Sequence, residues 1–196
     1  MVRSKSQINR CPWCGDAEDY QEYHDKVWGR PVYSSQELFA KLCLDGQQAG
    51  LSWITILRKQ AGYEAAFLDL CPESLSAIQG VERDAFIETQ MHNTAIVRNR
   101  LKIQSIFRNA DGYMKLKQQG IEFSDFLWGF VGGEPQINYP KDMGDIPTST
   151  AESEAMSKAL KKAGFNFVGP TIVYAFMQAV GMVNDHLVDC DFRNPD

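Results

Sequence analysis

The stretch Leu44-Asp45-Gly46-Gln47-Gln48-Ala49-Gly50-Leu51-Ser52-Trp53 concentrates a carboxylate, two carboxamides, two glycines and a tryptophan within ten residues. A capping box, Ser34-x-x-Glu37, predicts that a helix begins before this stretch, and Ser52 is placed to cap a second helix that carries Trp53. The polar residues are therefore predicted at a junction between two helices, where glycine permits positive φ or the close approach of a backbone or ligand. An ordinary inter-helix turn with Asp45 as a cap fits the same residues.

Helical spacing continues through most of the chain. Further helices are predicted at residues 63–70, 72–78 and 82–91, from Asn93 or Thr94 to about 119, from a second capping box at Ser149 and Glu152 to about 162, and at 170–180. A brief extended segment is expected at Ile137-Asn138-Tyr139, but no period-2 alternation lasts long enough to predict a sheet. We therefore predict an all-α fold, a single domain over residues 1–196, with residues 1–10 as a flexible N-terminal extension.

The composition argues against several classes of protein. The chain has 196 residues, 44% of them hydrophobic, and a net charge of -5, which disfavours bulk electrostatic coating of nucleic acid but allows a local basic face. No stretch approaches the roughly 18 uninterrupted apolar residues of a membrane span, and the N-terminus has no apolar signal segment. Five cysteines, an odd count, favour reduced thiols, so we expect a cytoplasmic protein.

Potential metal ligands occur at both ends of the chain. Cys11 and His24 lie near the start, and His186 and Cys190 have an i,i+4 spacing that would place both on one face of a helical turn. Two thiolates and two imidazoles suit tetrahedral Zn²⁺ and leave no open position for a catalytic water, so such a site would be structural. Because Cys14 forms a CxxC with Cys11, it could replace His24 in the set. The same residues could also be unrelated core or surface positions.

Gly164 and Gly169 bracket a short hairpin between two predicted helices. Such a helix–hairpin–helix can direct backbone N–H groups and a helix N-terminus at a phosphate. Lys158, Lys161 and Lys162 stand just upstream and could add cationic contacts. Composition alone favours an ordinary αα-hairpin with a solvated lysine face.

Five aromatic residues accompany these motifs: Trp13, Tyr20, Tyr23, Trp28 and Trp53. Aromatics at this density usually form core. They would also suit a pocket that stacks on an electron-poor or cationic ring.

Together these segments resemble the DNA-3-methyladenine glycosylase I family over roughly residues 10 to 190. The motifs that carry the resemblance are Tyr23-His24-Asp25-x-x-Trp28-Gly29, Gly46-Gln47-Gln48-Ala49-Gly50-Leu51-Ser52-Trp53, Ile146-Pro147-Thr148-Ser149-Thr150, Ser157-Lys158-Ala159-Leu160-Lys161-Lys162, Phe167-Val168-Gly169 and Val183-Asn184-Asp185-His186. Several independent motifs in the same order make coincidence implausible.

The resemblance implies a helix–hairpin–helix DNA glycosylase in which a structural zinc joins the N- and C-terminal segments. It places the zinc ligands at Cys11, His24, His186 and Cys190 and leaves Cys14 as a spare thiol. It places the base pocket at Tyr20, Tyr23 and Trp53, with Trp13 and Trp28 nearby. It places Gln48, Gly50 and Leu51 near the gap left in the duplex, and Gly164, Gly169 and Thr171 near the phosphates. The implied partner is double-stranded DNA containing alkylated purines. The protein is expected to be a monomer and not to bind a membrane.

The chain departs from the pattern of the family at two places. Asp45 stands where a member of the family has Glu, and the stretch 95–101 lacks glycines that the family pattern leads us to expect. Asn184 also occupies the position at which helix–hairpin–helix glycosylases commonly place a catalytic Asp. A methylated adenine is already a good leaving group, so we predict base flipping, stacking between aromatics and recognition by Asp45 as the catalytic residue. Hydrolysis without a lyase step is expected, helped by electrostatic stabilisation of the sugar.

Two rival functions fit parts of the sequence. One is a zinc-clipped DNA-binding module without catalysis, which the change from Glu to Asp at position 45 would favour. The other is a zinc hydrolase, which would need three protein ligands and an open position instead of four ligands.

Overall fold

The computed structural model describes residues 8–194, which are mostly helical. The α-helices are α1 (Glu18–Lys26), α2 (Ser35–Gln48), α3 (Trp53–Leu57), α4 (Gln60–Ala66), α5 (Pro72–Ala77), α6 (Gly80–Met91), α7 (Arg100–Gln118), α8 (Phe123–Trp128), α9 (Ala151–Ala163) and α10 (Pro170–Ala179). Short 3-10 helices occur at Pro12–Cys14, Leu68–Leu70, Gly129–Val131 and Met143–Asp145. Within the described residues, no helix combines the length and apolarity needed to cross a membrane.

The prediction of an all-α chain needs one small correction. Strands β1 (Gln136–Ile137) and β2 (Val183–Asn184) form a parallel pair in which Gln136 faces Val183. The amide of Asn138 extends this pairing by donating to the carbonyl of Asn184 at 3.1 Å. The extended segment expected at 137–139 is therefore real, but a partner 47 residues further along the chain gives it its hydrogen bonds. Local alternation cannot reveal such a partner.

Helix α2 begins where the sequence predicts it and continues past Asp45. The side chain of Ser34 accepts a hydrogen bond from the amide of Glu37 at 3.4 Å. The helix continues through Gln48 and α3 begins at Trp53, so the predicted junction between two helices is found at residues 49–52, whereas Asp45 lies in the last turn of α2. The end of α2 has a remote cap: Lys102 on α7 donates from Nζ to the carbonyls of Gln47 and Ala49, both at 2.7 Å. Such a lysine satisfies carbonyls that a helix C-terminus leaves unpaired.

Two other predicted helix starts are shifted. Helix α7 begins at Arg100 and not after Asn93, because the side chain of Asn99 caps it by accepting from the amide of Lys102 at 3.2 Å. Asn93 instead accepts from the amide of Ala95 and closes a local turn. Helix α9 is capped by Thr150, whose capping-box partner is Ser153, and not by Ser149 with Glu152. Neighbouring residues with equivalent capping chemistry compete here, and the approach of the preceding chain decides between them.

The hairpin between α9 and α10 packs directly on α2. A Cβ built on Gly46 would lie 3.1 Å from Cβ of Phe167, so a larger residue at this position would push Phe167 away. Phe167 itself has a φ of +55°, and Gly164 ends α9 in the left-handed region with a φ of +107°. The predicted close approach of a backbone to the glycine-containing stretch is therefore found, and it sets α2 beside α10.

The two ends of the described chain lie together. The amide of Asp191 donates to the carbonyl of Asn9 at 3.0 Å, and the amide of Asn9 donates to the Asp191 carboxylate at 2.8 Å. Arg10 forms an ion pair with Asp25 at 2.8 Å. Of the predicted N-terminal extension, residues 1–7 lie outside the described residues, whereas Asn9 and Arg10 are bound to the rest of the protein and do not belong to an extension.

Candidate active site

A cavity of about 290 Å³ opens between α1, α2, α3 and α10. Its wall consists of Trp13, Tyr20, Tyr23, Trp28, Lys41, Asp45, Gln48, Trp53, Met143, Ile146, Pro147, Thr148, Thr171, Tyr174, Ala175, Gln178 and Ala179. All five aromatic residues that the sequence singled out are in this wall, together with Asp45. The cavity is therefore a place where a planar ring can stack and meet a carboxylate.

The aromatic side of the cavity is a connected set of rings. Trp13 lies edge-on to Tyr20 with centroids 5.2 Å apart and to Trp28 with centroids 4.9 Å apart. Tyr23 and Trp53 lie 5.5 Å apart with their planes tilted by 42°. Tyr20 and Tyr23 project from the same face of α1 because they are three positions apart on a helix. The rings thus fix one another and give the cavity rigid walls.

Asp45 is the buried carboxylate of this cavity, with only 2% of its surface exposed. Its Oδ1 forms an ion pair with the ammonium of Lys41, one helical turn earlier on α2. Its Oδ2 and the indole Nε1 of Trp53 are buried and have no hydrogen-bond partner in the described part of the chain. Burial raises the pKa of Asp45, and Lys41 opposes that rise. The cavity therefore contains one acceptor and one donor that are not used inside the protein.

The residues predicted to face DNA lie in two neighbouring segments. Gln48 lines the cavity, and the turn that follows it contains Gly50, with a φ of +76°, and Leu51, whose surface is 41% exposed. Thr171 lines the cavity from the first turn of α10. Gly164 and Gly169 bound the hairpin that leads into that turn. The structure thus joins the hairpin and the 48–51 turn to one cavity.

The hairpin is held from behind by polar contacts. Asn109 on α7 accepts from the amide of Asn166 at 2.7 Å. Ser157 on α9 donates its hydroxyl to the carbonyl of Val168 at 2.6 Å. These bonds satisfy groups on the inner side of the hairpin and fix its conformation.

Three of the four predicted metal ligands meet at the chain ends. Cys11, His24 and Cys190 are buried, and one ligand atom of each lies within 4.8 Å of the others. His24 Nδ1 contacts Asp25 at 2.8 Å, which leaves Nε2 to face Cys190 Sγ at 3.6 Å. Hydrogen bonds from Cys11 and His24 lower the pKa of Cys190. Deprotonated sulfur and an oriented imidazole are the donors that Zn²⁺ prefers.

His186, the fourth predicted ligand, is not part of that three-residue cluster. Its ring centroid lies 5.2 Å from that of His24, Nδ1 contacts Asn184 Oδ1 at 3.0 Å, and Nε2 is buried without a hydrogen-bond partner among the described residues. Burial lowers the pKa of His186 to about 4, so the ring is neutral near pH 7. The prediction that His186 and Cys190 share a helical turn is wrong, because residues 185–190 form an irregular segment without helix. The chain between the two residues follows a turn at 188–189, and contacts with Asn9 hold that segment in place.

Cys14 stays apart from the cluster. Its thiol is buried and donates to the carbonyl of Cys11 at 3.2 Å. Within the described residues the Cys–x–x–Cys pair therefore does not form the alternative ligand set, and His24 takes the place beside Cys190.

Gly29 has a role in this region that sequence reasoning did not assign. It has a φ of +76°, and a Cβ at this position would lie 2.6 Å from Cε1 of His186. Glycine therefore allows the His186 ring to lie against the Trp28–Gly29 turn.

Several residues of the cavity were missed by the sequence analysis. Tyr174 and Gln178 follow Thr171, which was predicted near the phosphates, on one face of α10, and this helical spacing was available in the sequence. Tyr174 and Gln178 also donate to the buried Asp185 carboxylate at 2.6 and 2.7 Å. Lys41 was missed although it precedes Asp45 by one turn. The segment with Met143, Ile146, Pro147 and Thr148 reaches the cavity through a loop, which local spacing could not predict.

Asn184 occupies the position at which related enzymes commonly have a catalytic carboxylate, but its side chain binds the C-terminal segment of the described chain. Its amide nitrogen donates to the carbonyl of Arg193 at 2.8 Å, and its oxygen contacts the backbone and ring of His186. It does not line the cavity.

This helical chain, with a ring-lined cavity beside a helix–hairpin–helix, matches known proteins over nearly its whole length. The family model of methyladenine glycosylase matches residues 13–194. The DNA-3-methyladenine glycosylase of Haemophilus influenzae is 48% identical over 181 residues, which are 92% of this chain and 96% of that protein. The chain therefore belongs to the methyladenine glycosylase family.

Two solved structures agree with this assignment. A crystal structure of 3-methyladenine DNA glycosylase I has a TM-score of 0.90 at 48% sequence identity, over 93% of this chain and 98% of that one. A 3-methyladenine DNA glycosylase I from Staphylococcus aureus, solved to explain its recognition of 3-methyladenine, has a TM-score of 0.90 at 38% identity, over 96% of this chain and 98% of that one.

Proposed function

We propose that this protein is a DNA glycosylase that hydrolyses the N-glycosidic bond of 3-methyladenine in alkylated DNA. The observation that carries the proposal is the pair of unused polar atoms in the aromatic cavity, Asp45 Oδ2 and Trp53 Nε1. A flipped purine has amino hydrogens to donate and ring nitrogens to accept, so it can use both atoms. Membership of the methyladenine glycosylase family supports the same substrate class.

Recognition in this proposal depends on the charge of the methylated base. N3-methylation makes adenine cationic and electron-poor, and the negative faces of Tyr20, Tyr23 and the tryptophans favour such a ring. The ionised Asp45 accepts from the polar edge of the base. An unmodified neutral adenine gains less from both contacts, which gives the enzyme its preference for damage.

Bond cleavage then needs little assistance from the protein. The cationic base leaves readily, and water attacks the oxocarbenium-like sugar, which the phosphates of the DNA stabilise electrostatically. Lys41, the lysine in the cavity wall, has its ammonium engaged by Asp45. This engagement supports simple hydrolysis without a Schiff-base step.

We infer that the 48–51 turn and the hairpin bind the duplex. Gln48 lines the cavity and Leu51, three residues later, is exposed, so these two side chains can occupy the gap that a flipped nucleotide leaves. Gly164, Gly169 and Thr171 bring backbone N–H groups of the hairpin and the first turn of α10 toward a phosphate. The formal charge of the whole chain is -5, so these local contacts carry the binding.

We infer a structural Zn²⁺ held by Cys11, His24 and Cys190, with His186 as the fourth ligand. Two observations support the fit: the buried Nε2 of His186 has no hydrogen-bond partner in the described residues, and Asp25 and Asn184 orient the two imidazoles. The ion would supply a cross-link between chain ends and no chemistry of the reaction. Four protein ligands disfavour the zinc hydrolase alternative.

The test is a base-release assay on duplex DNA that carries 3-methyladenine. Wild-type protein is expected to release free 3-methyladenine and to leave abasic sites without strand cleavage. Borohydride should trap no covalent DNA adduct, since no Schiff base forms. Tight binding to the same duplex without base release would reject the glycosylase and establish the non-catalytic DNA-binding module.

A further inference from the structure

Lys41 lies in the cavity wall, in direct contact with Asp45 and Trp53. Its ammonium pairs with Asp45 Oδ1 and stands 3.9 Å from the centroid of the Trp53 ring. The side chain is 16% exposed, so most of it is removed from water. A lysine in this position loses hydration, and burial accordingly lowers its pKa. The ion pair and the indole face are what compensate that loss.

Because of the ion pair, the two oxygens of the Asp45 carboxylate have different surroundings. Oδ1 is engaged by Lys41, and Oδ2 is left without a partner in the described chain. A carboxyl group in an aromatic cavity without a counter-charge tends to be protonated. A protonated carboxyl presents an O–H group, which cannot accept at that oxygen edge as a carboxylate does.

We propose that Lys41 is a positioning residue for base recognition: its ammonium keeps Asp45 ionised, holds Oδ1, and leaves Oδ2 as the acceptor for the methylated base. This role rests on the proposed glycosylase function. The ammonium also covers one part of the Trp53 face, so the base stacks on the remaining rings. The Lys41–Asp45 pair carries no net charge, so the preference for a cationic base comes from the faces of the aromatic rings and from the acceptor at Oδ2.

The other titratable groups around Asp45 do not replace Lys41. Tyr20 and Tyr23 face the cavity from α1 and Tyr174 faces it from α10, and burial raises the pKa of each phenol. On α2 itself, burial raises the pKa of the neighbouring Cys43 to about 12. All four groups are neutral in the acid range. Among the described cavity residues, Lys41 is thus the cation that can hold the Asp45 charge.

The first experiment measures the ionisation of Asp45 in the free protein. Carbon-13 NMR follows the side-chain carboxyl of Asp45 against pH, and Asp45→Asn identifies its signal. Removing an opposite charge in contact raises a carboxyl pKa by about 1 unit or more, so Lys41→Met should move the titration upward by that amount. Lys41→Arg keeps the charge and should stay near wild type. Lys41→Gln repeats the test with a neutral polar side chain if Lys41→Met folds poorly.

The second experiment measures the pH profile of 3-methyladenine release by the same variants under single-turnover conditions. The acid limb of Lys41→Met should move upward by the same shift as the NMR titration, whereas the exposed-lysine control Lys115→Met should match wild type. An unchanged acid limb in Lys41→Met, or an NMR shift that the activity does not follow, overturns the role of Lys41. If wild-type protein releases no base, the glycosylase proposal fails and this role fails with it. If the wild-type protein is active, the results of the variants test only the proposed role of Lys41.

Discussion

The aromatic cavity and the terminal cluster both contain buried polar groups, but the surroundings of these groups differ. At the terminal cluster, His24 and the adjacent His186 each have one ring nitrogen held by a neighbour, His24 by Asp25 and His186 by Asn184. In the cavity, Lys41 holds Asp45 Oδ1, whereas Asp45 Oδ2 and Trp53 Nε1, like His186 Nε2, have no hydrogen-bond partner in the described chain. The difference lies in the space around these atoms: Asp45 and Trp53 line a cavity of about 290 Å³ that a molecule can enter, whereas His186 lies against the His24 ring, where the proposed Zn²⁺ would use its free nitrogen.

The difference gives a simple expectation for mutagenesis. Changes in the terminal cluster should lower stability and leave the chemistry of the molecules that stay folded intact. Changes in the cavity should lower base release and alter stability less. A variant that behaves in the opposite way would break the comparison between the two regions.

The largest effect is expected from loss of the metal ligands. Cys190→Ser, or zinc removal by a chelator, should lower the free energy of unfolding by about 3 kcal/mol or more, roughly 10 °C in Tm, because a long chain loop is no longer closed. Thermal unfolding and metal analysis measure this. His24→Ala should lose zinc and Cys14→Ala should keep it. The reverse result would replace His24 by Cys14 in the ligand set.

Asp45→Asn should give the largest loss of activity. A hydrogen bond to a charged group contributes about 1.5–3 kcal/mol, so base release should fall roughly 10- to 150-fold. Rates with 3-methyladenine-containing duplex measure the loss, and Asp84→Asn on the exposed face of α6 is the matched control. Equal rates for Asp45→Asn and wild type would remove Asp45 from the recognition of the base.

The pH dependence of the wild type should report the same carboxylate. Burial raises the pKa of Asp45, and the ionised form is the one that accepts from the base. Activity is therefore full above this raised pKa and is lost as the pH falls through it. The acid limb should lie above the range of an exposed aspartate, about pH 3.9, and should disappear in Asp45→Asn. An acid limb that survives in Asp45→Asn would belong to another group.

A smaller effect is expected behind the cavity, at the cap of α2. Lys102→Met leaves the carbonyls of Gln47 and Ala49 without their donor, which should cost about 1–2 kcal/mol of stability. The loosened turn should also weaken duplex binding without changing zinc content. Chemical denaturation and binding titrations test this, with the exposed Lys115→Met as control. Unchanged stability would show that water replaces the lysine.

The smallest effect is expected at Leu51, which is 41% exposed. Leu51→Ala removes little buried area, so stability should change by less than about 0.5 kcal/mol. Binding to damaged duplex should weaken by a few-fold, because a smaller side chain fills less of the gap. If free 3-methyladenine binding falls as well, Leu51 belongs to the cavity and not to the DNA contact.

Sequence reasoning performed best where one helix or one turn carries the information. The start of α2 after its N-cap Ser34 and the presence of a hairpin after α9 both follow from local spacing. It failed where equivalent local choices competed, as at the starts of α7 and α9. It could not predict the cap at the end of α2, because Lys102 lies 54 residues after Gln48 in the chain.

The sequence by itself determined the helical class, the aromatic and carboxylate chemistry of positions 20 to 53, and the types of potential metal ligand. Only the tertiary structure decided which of these residues meet. Cys11 and His24 reach Cys190 across the length of the chain, and Lys41 lies over Trp53 because α3 turns back on α2. Periodicity fixes the face on which a side chain lies, but the distance between two faces depends on how the whole chain packs.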